Sequence, residues 1–175
     1  MPADPPSPFI VEWAATLKDG IPAHRRALDL AMGRGRHACA LALLGYRVFG
    51  VDLNGEAVDE ARRRAAACGA AVRAWRADLT VYPLPRERFE LLVVARYLQR
   101  DLFPMLRAAL VTGGALLYET FTEAQRSLGR GPKSPDHLLR SGELASHLRG
   151  FDILFEQEVM EKDALARVVA LKTGR

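Results

Sequence analysis

The stretch Asp29-Leu30-Ala31-Met32-Gly33-Arg34-Gly35-Arg36-His37 decides the fold of this 175-residue chain. It begins inside a short apolar run, residues 26–31, that is typical of a buried strand, and it ends in a helical pattern over residues 36–44. Gly33 and Gly35 let the backbone turn tightly and approach a ligand closely. The helix that follows presents its free N–H groups to that ligand. A strand, a glycine-rich turn and a helix in this order indicate a site for a nucleotide-like cofactor.

Strands and helices alternate on both sides of this loop. Further strands are predicted over residues 46–51, 72–77, 89–95 and 115–121, and helices over residues 9–17, 54–67, 101–110 and 141–148. Strands that alternate with helices indicate an open parallel sheet with right-handed crossovers. Residues 122–140 are predicted to form a long polar loop.

The C-terminal part breaks this pattern. Two strands, residues 151–161 and 164–173, are joined by a connection that is too short for a crossover, so they are predicted to form an antiparallel hairpin. We therefore predict one α/β domain with a doubly wound, mostly parallel sheet over residues 9–175. Residues 1–8 are rich in proline and are expected to form a flexible N-terminal segment.

Composition and charge exclude several classes of protein. The formal net charge is +4, but the basic residues are spread along the chain, and the run Arg62-Arg63-Arg64 fits a solvated helix face better than nucleic-acid contact. No apolar run approaches the roughly 20 residues that a membrane-spanning helix needs. Cys39 and Cys68 form no metal-ligand pattern, and no secretory signal is recognisable. We therefore expect a cytoplasmic protein with no metal site and no membrane association.

Aspartates follow the first three predicted strands. Asp29, Asp52 and Asp78 stand at these strand ends, where ligands bind in open α/β sheets. The carboxylate of Asp52 can accept both hydroxyl protons of a ribose diol, and Asp78 can accept from an adenine amino group. The alternatives are a helix cap for Asp52 and a turn before Pro83 for Asp78. The sequence order favours one shared ligand site.

A nicotinamide dinucleotide is the rival cofactor. Residues 33–38 fit the pattern G-x-G-x-x-A, and Asp52 lies 17 residues beyond Gly35. However, Asp29 precedes the glycines, where a carboxylate would not help to bind a pyrophosphate. A carboxylate there suits a ligand that carries an ammonium group. The chain also has no room for a separate substrate domain.

The chain resembles class I, seven-stranded S-adenosylmethionine-dependent methyltransferases over residues 9–173. The order Asp29, Gly33-x-Gly35, Asp52, Asp78 matches the cofactor motifs of that family, and the terminal hairpin matches its antiparallel last strand. More narrowly, the chain is similar to small bacterial methyltransferases that are often labelled tellurite-resistance-like. The segments that carry this narrower resemblance are Asp29–His37, Arg96–Arg100, Tyr118–Phe121 and Gly131–Leu139.

This resemblance implies the sheet order 3-2-1-4-5-7-6 and S-adenosylmethionine as the cofactor. The cofactor-binding residues that it implies are Asp29, Ala31, Gly33, Gly35, His37, Asp52, Leu53, Asp78, Leu79, Ala95 and Arg96. Two positions depart from the pattern, because the family usually has glycine where Ala31 stands and the narrower group often has asparagine where Arg96 stands. A cation beside a sulfonium is unfavourable, so we expect Arg96 to face the substrate or solvent.

The resemblance also implies in-line transfer of a methyl group, a reaction in which the protein mainly aligns and desolvates the reactants. The acceptor is expected to be a small molecule, with a thiol, a reduced chalcogen or an anion as candidates. Tyr97 and Glu119 are candidate catalytic residues, and His37 and His137 are further candidate bases. Each has an alternative role: Tyr97 as a wall of the cofactor pocket, Glu119 as a turn or hydrogen-bond residue, His37 as a cofactor contact, and His137 as a loop residue. No base is therefore assigned.

The substrate side is predicted from the loop and the first helix. The candidate substrate residues are Phe9, Trp13, Tyr97, Arg126 and Arg130. Long loops in compact domains are often lids, so residues 122–140 are a candidate cover whose cations would favour an anionic substrate. A solvated basic loop is the alternative. Two other functions stay open: a non-catalytic S-adenosylmethionine-binding module and an RNA methyltransferase.

Overall fold

The computed structural model describes residues 4–22 and 24–174, and in these ranges seven strands and five α-helices follow one another along the chain. The strands are β1 (Arg26–Leu30), β2 (Arg47–Asp52), β3 (Val72–Arg76), β4 (Phe89–Ala95), β5 (Leu110–Phe121), β6 (Phe151–Met160) and β7 (Ala164–Lys172). The helices are α1 (Pro8–Leu17), α2 (Arg36–Leu43), α3 (Gly55–Ala67), α4 (Phe103–Ala109) and α5 (Glu143–Ser146).

All seven strands belong to one sheet in the order β3-β2-β1-β4-β5-β7-β6. The first five strands pair in parallel, whereas β7 runs antiparallel to both of its neighbours, β5 and β6. This arrangement confirms the predicted order and the predicted hairpin. The carboxyl ends of β1, β2, β4 and β5 therefore meet at one edge of the sheet, where the predicted site residues stand.

The two faces of the sheet carry different helices. Side chains alternate along a strand, so Ala27 and Asp29 point to one face of β1 while Leu28 and Leu30 point to the other. Ala27 packs in a core with α1 and α2, whereas Leu28 and Leu30 pack in a second core with α4. Asp29 therefore faces the helix that follows the glycine loop, and this orientation decides its role in the site.

The strand predicted over residues 115–121 is longer than predicted, because β5 begins at Leu110 and runs through Gly113 and Gly114. Gly113 has a φ of +77°, and the pairing of β5 with β4 is irregular between Phe89 and Leu91. An irregularity of this kind lets a strand continue past glycine. The preceding helix is also shorter than predicted, since residues 100–102 form a 3-10 turn before α4.

Two further segments differ from the prediction. The loop over residues 122–140 contains two 3-10 helices, Glu123–Leu128 and Pro135–His137, and a bridge between Thr122 and Leu139. The helix predicted over residues 141–148 shrinks to the four residues of α5. Ser141 does not cap it, because its hydroxyl donates to Oε2 of Glu158.

The predicted flexible segment lies partly outside the described residues, which begin at Asp4. Residues 4–7 have defined contacts with the body of the domain. Arg36 binds Asp4 and the carbonyl of Pro5, and the backbone N–H of Ser7 donates to the ring of His37. The N-terminal segment thus crosses the edge of the sheet that carries the strand ends.

Candidate functional site

The glycine loop after β1 forms one wall of the candidate site. Gly33 has a φ of +54°, and a Cβ atom built on it would meet no atom within 4 Å. Gly35 has a φ of +73°, and its Cβ would lie 2.7 Å from the Cβ of Ala61 in α3. Gly35 is therefore required by helix packing, whereas Gly33 leaves an open space beside the loop. The sequence analysis assigned both glycines to ligand approach, and this geometry supports that role for Gly33.

Asp52 connects the end of β2 to the glycine loop. Its Oδ2 accepts a hydrogen bond from the backbone N–H of Gly33 at 2.7 Å, and its Oδ1 accepts from the N–H of Asn54 at 2.8 Å. Each carboxylate oxygen can accept more than one hydrogen bond. The half-buried side chain therefore keeps acceptor capacity for a diol while it fixes the loop. Asn54, not Asp52, caps α3, since its Oδ1 accepts from Glu56 and Ala57.

A cavity of about 330 Å³, which we call the first cavity, lies between these strand ends. Its lining residues are Ala31, Asp52, Leu53, Ala77, Asp78, Leu79, Thr80, Arg96 and Tyr97. Leu53 is 59% exposed, whereas Leu79 is buried. Carboxylates beside apolar walls suit a ligand that carries hydroxyl groups on one part and a flat ring on another.

Asp78 forms a tight turn at the edge of the first cavity. Its Oδ1 accepts from the backbone N–H of Thr80 at 2.9 Å and from the hydroxyl of Thr80 at 2.6 Å. These hydrogen bonds from Thr80 lower the pKa of the Asp78 carboxyl below its usual value. The carboxylate is thus a turn residue, as the alternative interpretation held, and it also borders the cavity.

Asp29 is not among the residues that line the first cavity, and its predicted contact with the cofactor stays a prediction. Its side chain is buried beneath the loop, and Oδ2 accepts from the backbone N–H of Ala38 at 3.0 Å. The cause is the strand pleat, which turns Asp29 toward α2 rather than toward the open edge. Burial raises the pKa of this carboxyl to about 7, although the hydrogen bond from Ala38 opposes the shift. Asp29 supports the first turn of α2.

A second cavity of about 220 Å³ lies beside the first. It is lined by residues 4–8, by the Glu161–Asp163 turn of the hairpin, and by Arg36, Arg96, Glu119, Val159, Leu165 and Arg167. Arg96 borders both cavities, and its backbone N–H donates to the carbonyl of Glu119 at 2.7 Å. Its φ of +57° turns the chain sharply at the end of β4. The expectation that Arg96 faces the substrate or solvent stays a prediction.

Glu119, a candidate catalytic residue, is buried in an ion pair. Its Oε2 accepts from Nε of Arg167 at 2.7 Å, and the Arg167 guanidinium also lies over the ring of Phe9, 5.5 Å from its centroid. The Glu119 carboxylate is thus engaged by the Arg167 guanidinium. Glu119 therefore shapes the wall of the second cavity.

The other candidate bases are also engaged. Burial, together with the nearby Arg36 and Arg96, lowers the pKa of His37 to about 3, and its Nε2 accepts from the N–H of Ser7 at 3.0 Å. His37 thus contacts the N-terminal segment. The hydroxyl of Tyr97 donates to Gln99 at 2.5 Å, and burial raises the pKa of Tyr97.

The structure separates the predicted substrate residues. Phe9 and Trp13 stand on α1 and pack into the core beneath it. Their rings contact the ring of Phe155, with centroid distances of 5.9 and 5.5 Å. Arg126 donates to the carbonyl of Lys133 at 3.2 Å and lines neither cavity. His137 is exposed on a 3-10 helix.

Arg130 is the cation of the loop that comes nearest to the site. It pairs with Asp163 at 3.3 Å, and Asp163 lines the second cavity and also pairs with Arg96 at 3.1 Å. The sequence analysis missed Arg36, Asp163 and Arg167 as site residues. Arg36 stands in the glycine-loop motif itself, but the two others have no local signal, because pairing across the sheet brings them to the site.

Comparisons with known proteins agree with this arrangement. A family model described as a methyltransferase domain matches residues 27–114, just over half of the chain. The chain belongs to this methyltransferase domain family. No curated protein matches the sequence.

Three solved structures illustrate the similarity of fold. An S-adenosylmethionine-dependent methyltransferase from Mesorhizobium loti has a TM-score of 0.71 and 22% identity, over 93% of this chain and 98% of that chain. TehB from Haemophilus influenzae has a TM-score of 0.74 and 18% identity, over 94% and 61%. The [4+2]-cyclase SpnF has a TM-score of 0.74 and 15% identity, over 93% and 80%. At these identities the similarity concerns the fold.

Family membership supports S-adenosylmethionine as the cofactor, as the sequence predicted. The first cavity fits this molecule by its own chemistry, since it offers the diol acceptor Asp52 and the exposed Leu53. Asp52 also accepts from Gly33, which has open space beside it. Within the described residues, no helix is long and apolar enough to cross a membrane. In the same residues, no group of three or more His, Cys, Asp or Glu side chains is placed to hold a metal ion.

Proposed function

We propose that this chain transfers the methyl group of S-adenosylmethionine to a small-molecule acceptor in the second cavity. The observation that carries this proposal is that two cavities lie side by side at the strand ends and share Arg96. One of them has the groups that a nucleoside needs, and the other is polar and lies under the N-terminal segment. A transfer reaction needs two such adjoining sites, whereas a simple binding module needs only one.

The residues proposed to hold the cofactor follow from the first cavity. Asp52 would accept from a ribose diol, Asp78 from an amino group, and Leu53 and Leu79 would contact a flat ring. The backbone beside Gly33 leaves room for the rest of the molecule. When bound, S-adenosylmethionine supplies a methyl group on a positively charged sulfur, so its leaving group needs no protonation.

The second cavity favours an acceptor that needs no strong base. Glu119 is paired with Arg167, and His37 accepts from Ser7. Tyr97, at the edge of the first cavity, has a raised pKa. A neutral amine or hydroxyl would need a base to remove its proton, whereas a thiolate or a reduced chalcogen would not. The chain would then align the nucleophile and exclude water. We also propose that the chain belongs to the tellurite-resistance-like subgroup. This proposal rests on the preference for an acceptor that needs no strong base and on the sequence motifs that the chain shares with that subgroup.

A site that binds the cofactor without transferring its methyl group is a second candidate. The pairing of Glu119, the buried carboxylate of the second cavity, with Arg167 favours it. The fold also occurs in SpnF, which is described as a [4+2]-cyclase and not as a methyltransferase.

Two measurements separate these functions. Isothermal titration with S-adenosylmethionine and S-adenosylhomocysteine tests the cofactor site. Release of S-adenosylhomocysteine with a panel of thiols, chalcogen oxyanions and small acids then tests turnover. Binding together with product release from at least one acceptor supports the methyltransferase. Binding with no release above the background rate across the panel supports the second candidate.

A further inference from the structure

The carboxylate of Asp4 lies between two arginines of the second cavity. It forms an ion pair with Arg36, and Nη1 of Arg96 lies 3.6 Å from the same Oδ2 atom. Arg36 also donates to the carbonyl of Pro5 at 3.3 Å. Within residues 4–22 and 24–174, the hydrogen-bond partners of the Arg36 side chain thus come from the N-terminal segment.

Arg36 needs an anion at this position. Only 15% of its side chain is exposed, and a buried cation without a partner is strongly destabilising. Burial and the nearby charge of Arg96 lower the pKa of Arg36, while Asp4 opposes this effect. Two guanidinium groups that converge on one carboxylate form a strong anion site, because each offers several donors in a planar arrangement.

Two of the other acids that line the second cavity already have fixed partners. Glu119 pairs with Arg167, and Asp163 pairs with both Arg96 and Arg130. Neither acid lies within ion-pair distance of Arg36. If Asp4 left, Arg36 would lose its ion pair and could accept the anionic group of a ligand in its place.

Asp4 is more exposed than Arg36, the arginine that it binds. Its side chain is 63% exposed, and it belongs to a proline-rich segment that precedes α1. A group on such a tether competes with a free ligand through its high local concentration, but it can be displaced. The segment covers the second cavity by its own backbone, so its departure would also open the cavity.

We propose that Arg36 and Arg96 bind a carboxylate of the methyl acceptor, and that Asp4 occupies this site until the acceptor displaces it. This inference rests on the proposed function and makes it more specific. The acceptor is then a small carboxylic acid whose nucleophile, such as a thiol, lies at another atom. The N-terminal segment acts as an internal competitor that keeps the arginine pair neutralised and covered.

The test uses mercaptoacetate as the probe and mercaptoacetamide as the uncharged match, each titrated into the full chain with and without S-adenosylhomocysteine. Asp4→Asn removes the competitor and is expected to tighten mercaptoacetate binding by about two- to fivefold, the range of an exposed ion pair, while the amide is unchanged. Arg36→Gln is expected to weaken mercaptoacetate binding by about tenfold or more, and Arg36→Lys by less. Asp59→Asn, which removes an exposed carboxylate on α3, is the matched control and changes neither ligand.

Equal binding of the acid and the amide to the unaltered chain and to Asp4→Asn would overturn the proposal. The carboxylate of the cofactor is the other source of the same chemistry. If Asp4→Asn tightens S-adenosylhomocysteine but not its decarboxylated analogue, and S-adenosylhomocysteine blocks mercaptoacetate, the arginine pair belongs to the cofactor and the acceptor assignment fails. A chain that binds no S-adenosylhomocysteine contradicts the proposed function, whereas the titration without cofactor still decides the carboxylate site.

Discussion

Asp52 Oδ2 accepts a hydrogen bond from the backbone N–H of Gly33 at 2.7 Å, which ties the end of β2 to the loop after β1. This bond joins two strand ends that are 19 residues apart in the sequence. One carboxylate thus positions the loop and borders the first cavity. Changes to either residue should therefore affect both the local structure and the affinity for the cofactor.

Asp52→Asn should reduce the affinity for S-adenosylhomocysteine by about ten- to a hundredfold, because it removes charged hydrogen bonds to Gly33 and to the ligand. Isothermal titration measures this change. Asp59→Asn on α3 is the control and should leave the affinity unchanged, since the side chain of Asp59 forms an exposed pair with Arg62. An unchanged dissociation constant for Asp52→Asn would show that the first cavity does not hold the ribose.

The two glycines of the loop should respond differently to alanine. Both substitutions place alanine in the left-handed region, at a cost of about 1–2 kcal/mol. Gly35→Ala also forces a Cβ to within 2.7 Å of Ala61, so it should cost about 1–3 kcal/mol more in the free energy of unfolding. Gly33→Ala should instead lower the affinity for S-adenosylhomocysteine, since its Cβ enters the open space. Urea unfolding and titration separate the two effects.

Ala61→Gly provides the internal check on Gly35. In a double-mutant cycle it should recover part of the stability lost in Gly35→Ala, because it removes the opposing Cβ. Ala61→Gly should not improve Gly33→Ala. Additive costs for Gly35 and Ala61 would mean that the close contact between them is not what requires glycine.

The strands and their order could be predicted because they depend on local patterns. The apolar run of β4 and the short hairpin connection before Ala164 are visible in the sequence alone. The role of Asp29 could not be predicted, because it depends on which face of β1 meets α2. The left-handed Ala31 and the irregular strand at Gly113 likewise depend on the packing of neighbouring elements.

The second cavity was the part of the site least accessible from sequence. Its charge pairs join residues far apart in the chain, such as Glu119 with Arg167 and Arg36 with Asp4. No spacing rule connects such residues, and Asp4 lies in a proline-rich segment that resembles a disordered terminus. Only the pairing of β5 with β7 and the path of residues 4–8 bring them together.

The cations of the 122–140 loop should contribute unequally. Arg130→Gln removes one partner of Asp163, so Asp163 should hold Arg96 more strongly and the acceptor KM should rise by about two- to fivefold. Arg126→Gln is the matched change in the same loop and should leave KM unaltered, because Arg126 binds only the Lys133 carbonyl among the described contacts. Initial rates of S-adenosylhomocysteine release test both variants. Equal effects would favour the general electrostatic role that the sequence analysis gave to the loop.

The pH dependence of stability should contain two opposing contributions. The pKa of Asp29 is raised to about 7 in the fold, so the folded state binds more protons than the unfolded state between about pH 4 and pH 7, and stability falls as the pH rises through this window. The pKa of His37 is lowered from 6.5 to about 3, so the unfolded state binds more protons than the folded state between these two pH values. The stability that His37 contributes is therefore lost as the pH falls through this range. The two contributions partly cancel in the unaltered chain.

Single substitutions should expose each contribution. Asp29→Asn keeps an oxygen that can accept from Ala38, so it should leave a stability that rises with pH over this window. His37→Gln keeps an acceptor for the N–H of Ser7, so it should leave a stability that falls toward pH 7. In each variant the free energy of unfolding should change by about 1–4 kcal/mol across the window. Urea unfolding at several pH values measures this change. If the two variants kept the same pH profile as the unaltered chain, neither buried group would titrate with the shift that its position implies.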